Sequence, residues 1–141
     1  MKISREEMKA EALKRLKTLK VLPAVVRDFE KENVVHYSED MGGVYKGILY
    51  WISNEPKYVE VVNNFEKEYG AMVYHAHLCH TEFGDLLSLL YVSSHKSEWK
   101  DDEADLKAGY PTAYVYNFDG DFADMGAIQI APCNGGITRL A

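Results

Sequence analysis

The sequence predicts an α+β fold, a mostly antiparallel sheet of about five to six strands with three to four helices packed on it. Two patterns favour this class: a helix followed by two strands recurs three times, and short turns join the strands. The third observation is the composition, 47% hydrophobic and 27% charged residues, which is that of an ordinary globular protein. A chain of 141 residues can bury one core, so we expect a single α+β domain over residues 1–141.

Residues 1–22 are predicted to form a basic amphipathic helix that leads into the domain. Ser4 followed by Glu7 is the signature of a capping box, in which each residue satisfies a main-chain amide of the other. Apolar residues then recur at helical spacing, and these are Met8, Ala12, Leu16 and Leu19. The helix itself is expected over residues 4–20.

A second short helix and a hairpin should follow. Pro23 suits the first turn of a helix that ends near Lys31, because the fixed φ of proline is already helical. Val34–Tyr37 and Val44–Ile52 are rich in β-branched and aromatic residues. Met41–Gly43 supplies turn glycines between them, which predicts an antiparallel hairpin.

The clearest helix signal in the chain lies between Asn54 and Gly70. Asn54 and Pro56 are typical of a helix start, and Gly70 stands where a helix-terminating glycine belongs. The apolar residues between them fall on one helical face, and they are Tyr58, Val62, Phe65 and Tyr69.

The second half of the chain is predicted to be mainly strand. Met72–Cys79 reads as a strand, and Leu86–Val92 is an apolar run of strand length, with a short helix as the alternative. Ser97–Lys107 indicates a short acidic helix. Thr112–Phe118 alternates between faces as a strand does, and Ala127–Ala131 should return beside it.

Charge and composition exclude several classes of function. The formal net charge is −6, divided into about +3 over residues 1–33 and about −9 over the remainder. An acidic body makes nonspecific nucleic-acid binding unlikely, since it would repel phosphates. No apolar run approaches the roughly 20 residues that span a bilayer, so no membrane contact is expected. Two cysteines and no export signal predict a cytoplasmic protein.

The segment around residues 75–82 contains the groups that a metal ion would need. His75 and His77 are two apart on a predicted strand and share a face, and Glu82 follows after a bend. These three residues are the predicted ligands of a possible zinc, iron or manganese ion. Their spacing resembles the first metal motif of the cupins, although no histidine follows His95 to supply the second motif. The alternative is a polar seam in an ordinary sheet, in which case no cofactor is expected.

A second candidate cluster lies at the bend of the same predicted hairpin. It consists of His80, Thr81, Glu82 and Asp85, whose imidazole, hydroxyl and carboxylates could converge there. No phosphate-binding loop, dinucleotide fingerprint or nucleophile elbow occurs in the sequence. Whether the protein is an enzyme is therefore left open, and the balance is against it.

Aromatic residues predict a protein–protein surface. Tyr45, Tyr50 and Trp51 lie on one predicted hairpin, and Tyr114 and Tyr116 lie on another. Aromatic rings with a polar tip are enriched at interfaces, so we expect a protein partner or a homodimer.

Five stretches resemble a group of small acidic proteins from mobile elements and genomes of gut Gram-positive bacteria. The stretches are Val26–Val35, Leu49–Pro56, His80–Gly84, Leu89–Ser93 and Gly135–Arg139. That group has no established activity, so the resemblance implies an accessory role on a mobile element rather than a mechanism.

Three functions follow from the sequence as hypotheses. The leading one is a non-enzymatic binding protein in an accessory role that acts through a protein–protein surface. The second is a small metal-dependent enzyme with a His-x-His-x4-Glu site. The third is an acidic mimic of DNA, of the antirestriction type.

Overall fold

The computed structural model describes the main chain of most of the 141 residues. The described ranges are 2–19, 21–41, 44–51, 55–81, 84–99, 112–117, 124–130 and 137–139. Side chains are described over 2–19, 21–37, 55–76, 78 and 87–99.

Three α-helices and seven strands occupy these residues. The helices are α1 (Arg5–Thr18), α2 (Pro23–Glu32) and α3 (Pro56–Tyr69). The strands are β1 (His36–Met41), β2 (Val44–Trp51), β3 (Ala71–Thr81), β4 (Gly84–Ser93), β5 (Thr112–Asn117), β6 (Asp124–Ile130) and β7 (Ile137–Arg139). A 3-10 turn covers Lys96–Glu98.

The strands form one mixed sheet in the order β2-β1-β3-β4-β5-β6-β7. β1 and β3 run parallel, whereas the other neighbouring strands run antiparallel. The predicted antiparallel sheet of five to six strands is therefore wrong. Turn residues in the sequence predict antiparallel hairpins between consecutive strands. β3 instead pairs with β1, on the side away from β2, and β2 and α3 lie between them in the chain. A parallel pairing of this kind has no turn signal in the sequence. β7 was also missed because three residues are too few to show an alternating pattern.

The helices cover both faces of the sheet. α1 and α2 pack with one cluster of buried strand residues, which includes Met72, Tyr74, Leu90 and Val92. α3 packs with a second cluster on the opposite face, which includes Tyr37, Val73, Ala76, Leu78, Leu87 and Leu89. The central strands β3 and β4 contribute to both clusters, as strands buried on two faces do.

The predicted helix boundaries agree with the structure because they depend on local caps. The Ser4 hydroxyl accepts a hydrogen bond of 3.2 Å from the Glu7 amide at the start of α1. Pro23 lies in the first turn of α2. Gly70 terminates α3 with φ of 58°, a left-handed conformation that glycine adopts without steric cost.

Two further predictions have different outcomes. Leu86–Val92 lies within β4, so the alternative of a short helix there is wrong. Most of the predicted acidic helix Ser97–Lys107 lies outside the described residues. At its start, Trp99 is described, and its Nε1 donates a 2.9 Å hydrogen bond to the Ser93 carbonyl. Among the described helices, none is long and apolar enough to cross a membrane.

Candidate functional site: a buried histidine pair

Two histidines meet at the centre of the sheet. In the parallel pairing of β1 with β3, His36 lies in register with His75. Only 3% of His36 and 1% of His75 is exposed. Neighbouring strands lie about 4.8 Å apart, so the two imidazoles start from adjacent positions.

Both histidines face the layer formed by α1 and α2. The next residue along each strand, Tyr37 or Ala76, belongs to the cluster under α3. Because successive side chains of a strand leave on opposite faces, His36 and His75 leave on the other side. Leu90, which pairs with His75 across β4, packs in the cluster under α1 and α2.

A β-bulge sets the direction of His75. The register of β3 against β4 shifts between Val73 and His75, so Tyr74 is an additional residue in β3. Val73 packs under α3, and regular alternation from it would turn residue 75 to that same face. The additional residue reverses this order, which is how bulges re-aim side chains.

Glu66 of α3 satisfies the main chain at this bulge. Its Oε2 accepts a 2.8 Å hydrogen bond from the amide of Val73. Burial raises the pKa of the Glu66 carboxyl above its ordinary value, while the Val73 hydrogen bond and the Arg5 charge lower it in part. A helix side chain therefore fixes the distortion that places His75.

The surroundings of His36 favour its uncharged form. Burial lowers the pKa of the His36 imidazole below 6.5, and the charge of Asp28 on α2 opposes that shift. The neutral ring retains one nitrogen lone pair, which can accept a hydrogen bond or bind a metal ion.

The structure describes the predicted metal ligands only in part. His75 is buried in the pair just described, whereas for His77 the main chain alone is described, in register with Ser38 and Ser88. Glu82 lies outside the described residues. Among the side chains that are described, no group of three or more histidine, cysteine, aspartate or glutamate residues could hold a metal ion. The set of His75, His77 and Glu82 stays a prediction.

The second predicted cluster lies where β3 and β4 meet at their hairpin end. The main chain of His80 pairs with Asp85, and that of Thr81 pairs with Gly84. The side chains of these residues, and all of Glu82, lie outside the described part of the chain. Their convergence into one site stays a prediction.

The predicted interface aromatics occupy two separate parts of the sheet. Tyr45, Tyr50 and Trp51 lie on β2, the outermost of the described strands on one side. Tyr114 and Tyr116 lie on β5, which is between β4 and β6. Three strands separate β2 from β5, so the two groups do not share one sheet edge.

His36 is the site residue that the sequence did not indicate. It lies within a predicted strand, Val34–Tyr37, and no recognised motif includes it. Its importance follows from the β1–β3 pairing, which joins residues far apart in the chain.

Comparisons of this chain with protein-family models, with curated proteins and with solved structures find no match.

Proposed function

We propose that this chain is a non-enzymatic binding protein that acts through protein–protein contacts at the outer edge of β2. The observation that carries this proposal is the place of β2 in the sheet. In the part of the sheet that the structure describes, no strand lies beyond its eight residues. An edge strand offers main-chain N–H and C=O groups to a strand from another chain.

The composition of β2 supports this role. Three of its eight residues are Tyr45, Tyr50 and Trp51, and Lys46 is its one charged residue. Aromatic side chains are enriched at interfaces, and edge strands that avoid pairing usually carry more charge. The opposite edge strand, β7, has three residues and offers a much shorter ladder.

A second copy of the chain is the partner that we propose for this edge. Two β2 strands paired antiparallel around a two-fold axis present the same surface to each other, which closes the assembly as a dimer. Such a homodimer needs no cofactor and suits an accessory protein in the cytoplasm. The metal-dependent enzyme and the acidic DNA mimic stay alternative predictions.

The proposal is tested by measuring molar mass in solution across a wide concentration range, with light scattering after size exclusion. Two variants, Ile48→Lys and Leu49→Lys, each add a lysine to β2. Charged side chains on the edge strands of natural sheets prevent pairing with a strand from another chain. Because adjacent side chains of a strand leave on opposite faces, at least one of the two avoids the buried face. Leu22→Lys is the matched control, since Leu22 is 57% exposed at the start of α2.

We expect a dimer for the natural chain and for Leu22→Lys. We expect a monomer for each β2 variant that keeps the natural melting temperature. A natural chain that is monomeric at every concentration contradicts the proposal, and so does a dimer that persists in a folded β2 variant.

A further inference from the structure

We propose that the cleft between the start of α1 and the end of α3 is a binding site for a small phosphate monoester. The cleft has a volume of about 420 Å³ and lies where β3 begins and β4 ends. This volume is within the range of small-molecule sites in proteins. The site goes beyond the proposed function, which concerns β2, and does not depend on it.

Positive side chains from three parts of the chain line this cleft. They are Lys2 before α1, Arg5 at the start of α1 and Lys67 in the last turn of α3. All three residues are exposed. Among the residues that the structure describes, neither Lys2 nor Lys67 takes part in an ion pair. Their charges are therefore available to an anion.

One carboxylate, that of Glu66, also lines the cleft. Its Oε2 accepts the hydrogen bond from the Val73 amide, and the charge of Arg5 acts on it. Three positive charges against this one negative charge leave a net charge of +2 along the lining. A phosphate monoester carries about −1.5 to −2 at neutral pH, so its charge complements that of the cleft.

A buried hydroxyl in the same cleft is a second, independent indication of a ligand. Ser94 is 4% exposed; its amide donates to the Gly70 carbonyl at 3.0 Å, and its carbonyl accepts from the Ile3 amide at 3.1 Å. Its Oγ has no hydrogen-bond partner among the residues that the structure describes. A buried hydroxyl without a partner costs free energy, and donation to a phosphate oxygen would remove that cost. Gly70 also lines the cleft, and a Cβ there would lie 3.2 Å from this oxygen, so glycine leaves space beside it.

The start of α1 and the apolar part of the lining suit the two halves of such a ligand. The first main-chain amides of a helix have no acceptor within the helix, and the helix dipole is positive at that end. These features favour a phosphate group beside Arg5. Ile3 and Met8, which also line the cleft, offer apolar contact to the organic group of a monoester.

The test is a titration of the full chain with inorganic phosphate and with phenyl phosphate at constant ionic strength, followed by main-chain amide signals in nuclear magnetic resonance. We expect saturable shifts at Arg5, Gly70 and Ser94, with tighter binding of phenyl phosphate because of the apolar lining. Equal affinity for the two probes would contradict the assignment of a monoester.

Variants of the lining test which charges hold the phosphate group. Arg5→Gln and Lys67→Gln should each weaken the binding of phenyl phosphate about tenfold or more, because each removes a charged hydrogen-bond donor. Lys14→Gln is the matched control, since it makes the same change in net charge at an exposed residue of α1 outside the lining. It should bind phenyl phosphate as the natural chain does.

Ser94→Ala separates a built site from general attraction to positive charge, because it leaves the net charge unchanged. The Oγ that it removes has no partner among the described residues, so the melting temperature should not fall. Affinity for phenyl phosphate should fall about tenfold. The proposal is overturned if neither probe gives a saturable shift at Ser94, or if folded Ser94→Ala binds phenyl phosphate as the natural chain does. A loss in Lys14→Gln as large as that in Arg5→Gln would also overturn it.

Discussion

The carboxylate of Glu66 lies 2.8 Å from the main-chain amide of Val73, and this hydrogen bond joins α3 to the bulge in β3. The bulge adds Tyr74 to the strand and thereby turns His75 away from α3. A side chain on one face of the sheet therefore helps to set the residue that is buried on the other.

The first prediction concerns the oxygen that Glu66 supplies. Glu66→Ala leaves the buried Val73 amide without this acceptor, so we expect a loss of about 1–3 kcal/mol in the free energy of unfolding. Glu66→Gln keeps an oxygen acceptor and should lose clearly less. Urea unfolding measures both, with Glu60→Ala as the control because Glu60 is exposed on the same helix. Equal losses for Glu66→Ala and Glu66→Gln would contradict this explanation.

The second prediction concerns the pH dependence of stability. The pKa of Glu66 is raised in the folded chain, so the folded state holds this proton more tightly than the unfolded state does. The stability that Glu66 contributes is complete below the ordinary value of 4.5 and is lost as the pH rises through the raised pKa. The unfolding free energy of the natural chain, minus that of Glu66→Gln, should therefore decrease over this interval and then stay level.

Urea titrations at a series of pH values measure this difference, and Glu60→Gln is the control variant. A difference between the natural chain and Glu66→Gln that increases with pH would show that burial does not raise the Glu66 pKa.

The third prediction concerns the end of α3. Gly70 has φ of 58°, and a Cβ added there would lie 3.2 Å from Ser94 Oγ. We expect Gly70→Ala to cost about 1–2 kcal/mol for the left-handed backbone, and more for the close contact. Removing the hydroxyl in Gly70→Ala/Ser94→Ala should restore only the part due to that contact.

Asn33 provides the matched comparison for Gly70, because it ends α2 with φ of 55°. Asn33→Gly should leave stability unchanged or slightly increased, since glycine adopts this conformation without a Cβ clash. Thermal melting compares the two sites. A Gly70→Ala variant as stable as the natural chain would disprove the conformational argument.

The fourth prediction concerns a buried arginine that links α1 to β4. Arg15 is 3% exposed; its Nη1 donates to the Tyr91 carbonyl at 3.1 Å and its Nε to Glu11 at 3.2 Å. Arg15→Ala removes these bonds and the packing of the alkyl chain, so we expect a loss of about 2–4 kcal/mol. Arg15→Met restores the packing and should lose less.

Chemical unfolding of the Arg15 variants measures the separate parts. Arg15→Met/Glu11→Ala also removes the carboxylate that Arg15 pairs with, and it should be at least as stable as Arg15→Met alone. If Arg15→Met and Arg15→Ala lose the same amount, the alkyl chain contributes no packing energy.

The elements that the sequence predicts well are those defined by neighbours in the chain. Ser4, Pro23 and Gly70 mark helix ends through contacts within one turn, so α1, α2 and α3 could be predicted within a few residues. The β1–β2 hairpin was predicted for the same reason, since glycines lie between two β-rich runs.

The features that the sequence does not predict depend on distant partners. The parallel pairing of β1 with β3 and the bulge at Tyr74 are set by packing against α1, α2 and α3. For the site, the sequence singled out His75 by its chemical neighbours and passed over His36. A register match between two strands is a property of the sheet and has no signature in either strand.

The parallel pairing also has a consequence for the order of folding. Partners in the β1–β3 pairing are further apart in the chain than partners in any other strand pairing that the structure describes. Among the strand pairings, this one closes the longest loop, and the entropy of that closure slows folding. We therefore expect the β3–β4 hairpin to form early and β1 to dock late. His36 and His75 then come into register near the end of the folding reaction, so a kinetic probe of the distance between them would report its last steps.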